Sequence, residues 1–424
     1  MKQGHNRWRV LSALGGMLVS TAALASGLQL QEQSASGLGV AFSGMAAAAE
    51  DPSTVFWNPA GMSVRGGSGV SLSADYVIPS FKFDPAATST YAALGNGGDA
   101  GVSSVVPAVY GYLSLSPQFA VGLAINAPYG LSTEWSSPWA GMFYALRSKV
   151  DTLNINPAIS WKVNSVLSLG AGVSYERLQA TLTSAAPDPL SATFTTLGRI
   201  DASHWGWGWN VGALLDFGQG TRVGATYRSA IGYTLRGALG FAEPAFAPLE
   251  SSIQAALRLP ATASLGLSQQ LTPQLRLLAD YTWTGWSSID TLNIIATSGP
   301  GAGQLAVPPT PLKFVNSWRA GAGLEYQLSA PWLLRAGAAY DRSPVQDAFR
   351  TPRLPDGDRT WLAAGLRFLP APGWAIDFGY AYLWVKSGPS DLNSSAIAPG
   401  VPGALVGTYH ANSSVIGLQG SYDF

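Results

Sequence analysis

The sequence predicts an all-β fold: an integral outer-membrane antiparallel β-barrel of about fourteen strands with a small helical plug before it. Three observations predict it. Charged residues make up 11% of the 424 residues, where a soluble globular chain carries roughly 25%. Segments alternate with period two, large apolar side chains on one face and small ones on the other. Beyond the N-terminus no run of about 18 apolar residues occurs, so no later helix can span a bilayer, and a closed barrel is the remaining way to satisfy a backbone in lipid. The 47% hydrophobic content excludes disorder, and the net charge of +0 leaves no basic footprint for nucleic acid. With Cys 0, disulfides, zinc–thiolate sites and thiol catalysis are excluded together. No cofactor is expected, and a monomer is.

Residues 1–25 read as an export signal. Lys2, Arg7 and Arg9 form a basic start, Val10 to Leu24 an apolar run, and Ala23-Leu24-Ala25 a small-residue cleavage site before Ser26. Residues 26–63 do not alternate; Gly44-Met45-Ala46-Ala47-Ala48-Ala49 and Glu50-Asp51-Pro52 read as short helices and turns. A small apolar segment ahead of a barrel with a lumen is expected to sit inside it.

Residues 64–424 are the barrel. Trp205, Trp207, Trp209, Val211, Ala213, Leu215 and Phe217 share one face against Gly206, Gly208, Asn210, Gly212 and Asp216. Trp374, Ile376, Phe378, Tyr380, Tyr382 and Trp384 repeat the pattern against Ala375, Asp377, Gly379 and Ala381. The greasy face must meet lipid and the small face line the lumen. Strands are expected near 64–84, 104–116, 118–130, 150–162, 166–180, 205–217, 221–238, 259–270, 275–292, 316–329, 332–343, 358–369, 374–388 and 408–424. Short turns such as Gly218-Gln219-Gly220 and Ala330-Pro331 alternate with long loops near 85–103, 131–149, 181–204, 239–258, 293–315, 344–357 and 389–407. The amphipathic last strand ends on Phe424, a partner signal for the barrel assembly machinery. Outer-membrane lipids and lipopolysaccharide are the other expected surroundings.

Within the plug, Ser53-Thr54-Val55-Phe56-Trp57-Asn58-Pro59-Ala60-Gly61-Met62 resembles the hatch signature of the FadL/TodX family of outer-membrane transporters of long-chain fatty acids and other hydrophobic compounds. Ser36-Gly37-Leu38-Gly39, Pro128-Tyr129-Gly130-Leu131, Leu153-Asn154-Ile155-Asn156-Pro157, Ala225-Thr226-Tyr227-Arg228-Ser229, Asp341-Arg342-Ser343-Pro344-Val345 and Leu354-Pro355-Asp356-Gly357-Asp358-Arg359 are similar to further family segments, in the family's order. The resemblance implies a fourteen-stranded barrel with an N-terminal hatch and passive uptake of a hydrophobic ligand. It also implies a lateral gap at a kinked third strand, contacted from inside by the hatch. Asn58, Pro59, Ala60 and Gly130 would have those roles. Pro128 supports the kink independently, since proline cannot donate to a ladder.

Candidate ligand residues are less sharply marked. Family members that carry fatty acids use lumenal basic residues; the matching positions here fall on Leu182 and Val315, with Arg177 and Lys313 nearby. Aromatic or aliphatic hydrocarbons are therefore the alternative cargo. Trp135, Trp139 and Phe143 make the loop after the third strand unusually apolar, as a capture groove or as loop-to-loop packing. Arg319, Arg335, Arg367, Glu325, Asp341 and Asp377 fall on the lumen face and are expected to pair with one another. Two readings of other classes are a general aqueous porin, which a plug argues against, and an outer-wall lipid hydrolase using His410, Asn412 and Ser414. The three histidines are too scattered for a metal cluster. Use of the loops as receptor or adhesin is a further alternative.

Overall fold

The computed structural model describes residues 27–186, 196–299, 301–392 and 403–424; the expected export signal and cleavage site lie outside them. Fourteen antiparallel strands close into one barrel. They are β1 (Gly69–Pro85), β2 (Ser104–Ser114), β3 (Phe119–Asn126 and Gly130–Glu134), β4 (Arg147–Lys162), β5 (Leu167–Ala186), β6 (Thr196–Asp216) and β7 (Thr221–Arg228 and Ile231–Phe241). The rest are β8 (Ser251–Leu259 and Thr262–Gln270), β9 (Leu275–Thr284), β10 (Ser317–Ser329), β11 (Trp332–Asp341), β12 (Arg359–Phe368), β13 (Trp374–Leu392) and β14 (Leu405–Asp423). Pairing of β1 with both β2 and β14 closes the ring.

Each expected strand is present, and parity is as read. Trp207, Trp209, Trp374, Phe378 and Trp384 stand exposed on the outer wall, while their neighbours point inward. Aromatic pairs mark two belts: Phe119–Trp161, Trp332–Phe368 and Trp374–Tyr422 beside the short turns, Tyr175–Trp205, Tyr281–Trp318 and Tyr382–Trp384 above. Ten residues separate Trp374 from Trp384, about 33 Å of strand and about 25 Å of height after tilt, the thickness of the apolar band.

The boundaries differ in instructive places. β1 begins at Gly69 because Gly61–Arg65 forms a helix. β5 and β6 continue through much of the expected loop 181–204, pairing Thr181↔Asp201 to Ala186↔Thr196. Above the lipid, polar side chains such as Thr181, which donates to Asp201 at 2.7 Å, support a ladder without any apolar alternation.

Residues 27–68 run inside the ring. Four short helices, Ala35–Leu38, Met45–Ala48, Thr54–Trp57 and Gly61–Arg65, are joined by buried turns. Lumen-facing glycines let this backbone press on the wall. A Cβ at Gly212 would strike Asn58 Oδ1; at Gly170, the Ala60 nitrogen; at Gly224, the Ala46 carbonyl; at Gly337, the Val40 backbone; and at Gly379, the Ala35 carbonyl.

Charge completes the seal. Arg335 on β11 pairs with Glu50 of the inner segment (3.0 Å), Glu325 (2.8 Å) and Asp377 (2.5 Å). Arg367 joins Asp377 at 2.7 Å and Asp51 at 3.6 Å, and Arg276 joins both Glu50 and Glu325. Arg319 pairs with Asp280 at 3.2 Å, and Arg359 reaches both Asp341 and Asp356. Although burial alone would raise it, Arg367 and the hydrogen bonds from Ser36 and Ser53 hold the Asp51 carboxyl below its usual value. The lumenal ion pairs expected from parity are thus formed, and they clamp the inner segment to the wall.

Candidate functional site

The third strand is broken at residues 127–129. Asn126 pairs with Asn154 and Gly130 with Asp151, so three residues of β3 oppose two of β4. On the other side the ladder with β2 ends at Val109↔Ile125. Below the bridge between Gly101 and Thr133, Ser104–Ala108 keep β1 as their only ladder partner among the described residues. Pro128 has no N–H to give, and Tyr129 sends its own to Thr152 Oγ1 at 3.0 Å. The wall therefore has a seam between β2 and β3.

Residues 28–33 cover that seam from inside as a strap. Leu30 N donates to Pro128 O and Gly130 N to Leu28 O, both at 2.8 Å. Gln33 Nε2 donates to Ala127 O (2.9 Å), its Oε1 accepts from Asn126 Nδ2 (2.8 Å), and its carbonyl accepts from Tyr110 OH (2.8 Å). Leu30 packs in one apolar cluster with Val106 and Ala127, from the two sides of the seam.

Above the strap lies an apolar cavity of about 110 Å³, walled by Leu28, Leu131, Leu178, Leu235, Ile253 and Phe314 among others. A second cavity of about 250 Å³ continues outward past Phe143, Tyr144 and Phe241, sharing Leu182, Ile200 and Ile294 with the first. The inner one is smaller than the ~150 Å³ that accommodates benzene. A long chain must thread both, or the strap must move.

Arg353 lies on the border of the two cavities. Its Nη1 donates to Ser148 Oγ at 3.1 Å and Thr183 O at 3.4 Å, and no acidic side chain pairs with it among the described residues. Burial pushes the guanidinium down to about 10, so it is charged at neutral pH. Nε and Nη2 remain for a ligand, in the fork that suits a carboxylate.

A barrel with this inner segment and seam is matched by relatives along its length. The model of the outer membrane protein transport family (OMPP1/FadL/TodX) matches residues 16–424. The chain belongs to this family. The long-chain fatty acid transport protein of Escherichia coli (strain K12) is 27% identical over 430 residues, covering 91% of this chain and 95% of that protein. Outer membrane protein P1 of Haemophilus influenzae is 28% identical over 420 residues, covering 88% and 89%. The crystal structure of a Pseudomonas aeruginosa FadL homologue superposes with a TM-score of 0.85 at 27% identity, over 94% of this chain and 100% of that one. The Ralstonia pickettii toluene transporter TbuX shares the fold, with a TM-score of 0.64 at 20% identity over 93% and 99%. The FadL/TodX chain described here is accordingly an outer-membrane barrel.

Several expected site residues of this family member fall elsewhere. Asn58 does not reach β3: its Nδ2 donates to Ala46 O (2.6 Å) and to Ala213 O on β6 (3.1 Å), and its Oδ1 accepts from Ala60 N (3.1 Å). Ala60 abuts Gly170 on β5. Only Pro59 shares a cavity with Pro128 and Tyr129; the strap makes the seam's hydrogen bonds. Arg177 stands on the outer face of β5 with Val173 and Tyr175, because parity sends odd positions there to lipid and solvent. Lys313 pairs with Asp290 at 2.8 Å in an open loop. Neither lines the two cavities above the strap. Trp135 and Trp139 stack at 4.4 Å in a buried cluster with Phe83 and Tyr409, so they form no surface groove; Phe143 alone of the three lines the outer cavity.

Nothing in the sequence marks Arg353, because 344–357 reads as an outward loop. The chain instead folds inward, with Trp135 Nε1 donating to Pro352 O at 3.0 Å. His410 lies 3.2 Å from Asp84 and 2.9 Å from Ser387 Oγ. His410 and Asp84 are well exposed, at 48% and 72%, as on a solvated outer rim.

Proposed function

We propose that this chain is a passive uptake channel for hydrophobic small molecules, with long-chain fatty acids as its cargo. Residues 1–25 are the export signal, 26–63 the hatch and 64–424 the barrel. Phe424, exposed at the end of β14, is offered to the assembly machinery, and the protein works as a monomer in lipid and lipopolysaccharide. No catalytic step is involved.

The observation that carries the choice of cargo is Arg353, a largely buried cation without an acidic partner among the described residues, set in a largely apolar tunnel whose other polar side chains are uncharged. A neutral hydrocarbon leaves that charge uncompensated; a carboxylate at the end of an acyl chain satisfies it. Each methylene buried recovers about 0.8 kcal/mol, so a sixteen-carbon tail gains on the order of 10 kcal/mol in the tunnel and a similar amount in lipid. Transfer between the two is nearly level and needs no energy source, provided the path stays dry.

The exit is the seam between β2 and β3. Cargo enters at Phe143 and Tyr144, docks its head on Arg353, and leaves sideways past Leu28 and Leu30 when the strap shifts. Labelled oleate and labelled toluene are offered to cells whose sole such channel is this protein; saturable uptake of oleate over toluene is expected, and uptake of neither overturns the reading. Cysteines at Val106 and Ala127, bridged by a bifunctional thiol reagent, staple the seam. Oleate uptake is expected to stop and to return on cleavage of the bridge; uptake indifferent to the staple would refute the lateral exit.

A further inference from the structure

The strap carries one residue that the lateral route does not use. Glu32 is completely buried, and neither carboxylate oxygen accepts a hydrogen bond of ordinary geometry from a described residue. Asp75, lumen-facing on β1, is equally buried and equally unpartnered at both oxygens. The two carboxylates repel one another through space. Two buried carboxylates that repel one another are costly unless at least one of them is neutralised.

The surrounding groups supply the neutralising charge only in part. Arg359 on β12 attracts Glu32 and Asp341 on β11 repels it, but Arg359 is already engaged with Asp356 and Asp341. Tyr110 on β2 donates to Gln33 O, and Arg228 on β7, which shares a pocket with Gln29, Leu30 and Gln31, donates to Ser174 Oγ and Phe56 O. Among the described residues no cluster of three or more His, Cys, Asp or Glu suits a metal ion. A proton is the remaining occupant. Burial pushes the Glu32 carboxyl from 4.5 up to about 7, with nearby backbone amides and Arg359 pulling it back only part of the way.

We propose that a proton held by the buried carboxylates Glu32 and Asp75, in place of a hydrogen-bond partner that neither has among the described residues, latches the strap over the break in β3, so that seating of the strap depends on pH. As a gate the latch rests on the lateral exit argued above; as a device that positions residues 28–33 it does not. The sign follows from linkage. A seated strap binds the Glu32 proton more tightly than a released one, whose carboxyl returns to its ordinary value. Seating is at full strength below about 4.5, weakens as pH rises from there to about 7, and levels off above. At roughly tenfold per unit, Glu32 alone weakens seating on the order of 300-fold across that window.

The natural chain has Cys 0, so paired nitroxide labels can be placed cleanly at Gln29→Cys in the strap and Ser165→Cys in an exposed turn. Electron-spin distance measurements on the full chain in detergent micelles should give one narrow distance at pH 5. A second, broader population should grow by pH 8. Glu32→Gln should stay narrow at both pH values. A wild-type distribution that does not change between pH 5 and pH 8, or a Glu32→Gln chain that still responds, would overturn the latch. Should Glu32→Gln fail to assemble, Asp75→Asn decides instead: removing the repulsion must shrink the response, and an undiminished one refutes the proposal. Oleate uptake through the stapled seam is scored separately, so a wrong exit and a wrong latch give different results.

Discussion

Replacing Arg353 by methionine keeps an unbranched apolar stem and removes the guanidinium, with its charge and its hydrogen bonds to Ser148 and Thr183. In the wild-type channel the guanidinium spends Nη1 on Ser148 and Thr183 and offers its remaining donors to the tunnel. A hydrogen bond to a charged partner contributes about 1.5–3 kcal/mol, which is about 10- to 150-fold in Kd at 1.4 kcal/mol per decade. Oleate displacement of a fluorescent fatty acid from purified protein should therefore weaken by about that factor in Arg353→Met. Methyl oleate and toluene, which carry no charge, should bind equally well or better, since the buried cation no longer stands alone. Oleate binding to the wild type should fade below about pH 5, where its carboxyl protonates, and persist upward until Arg353 itself titrates at about 10. A loss under threefold for oleate, or the same loss for oleate and its methyl ester, would refute the argument that Arg353 reads the carboxylate.

Three further outcomes follow. Arg335→Ala strands Glu325, Asp377 and Glu50 without their shared cation and should cost about 3–5 kcal/mol, read as an earlier urea midpoint by tryptophan fluorescence; an unshifted midpoint contradicts the clamp. Gly212→Val fills the recess that Asn58 occupies and should unseat the hatch, raising conductance in planar bilayers, whereas unchanged conductance means that the recess is dispensable. His410→Ala should leave oleate uptake intact, with no lysophospholipid released by either form; release by the wild type that vanishes in the variant would establish an outer-wall hydrolase.

The barrel was legible wherever side chains two apart told the whole story. Trp205, Trp207 and Trp209 against Gly206, Gly208 and Asn210 specify a strand and its lipid face without reference to anything distant. The lumen face was legible too: a glycine opposite a tryptophan marks a wall with something pressed behind it, and charged residues of one parity marked partners. The site was harder because its contacts are remote in sequence. Nothing near Arg353 signals that its loop turns inward, since the reason is Trp135, more than two hundred residues earlier. Trp135 and Trp139 look like surface aromatics until Phe83 and Tyr409 are brought over them. Residues 28–30 have no strand pattern of their own; they borrow the edge that Pro128 leaves open a hundred residues later. Parity places a residue on a face, and it says nothing about which distant backbone arrives there.

The inner segment touches glycines on β5, β6, β7, β11 and β13, strands made both early and late in synthesis. Ala35 and Leu38 even crowd Gly417, beside the joint where the first strand meets the last. The first described residues of the chain thus cannot find all their final neighbours until the last strand is in place. The stopper can therefore hold its full set of wall contacts only inside a cylinder that is already complete.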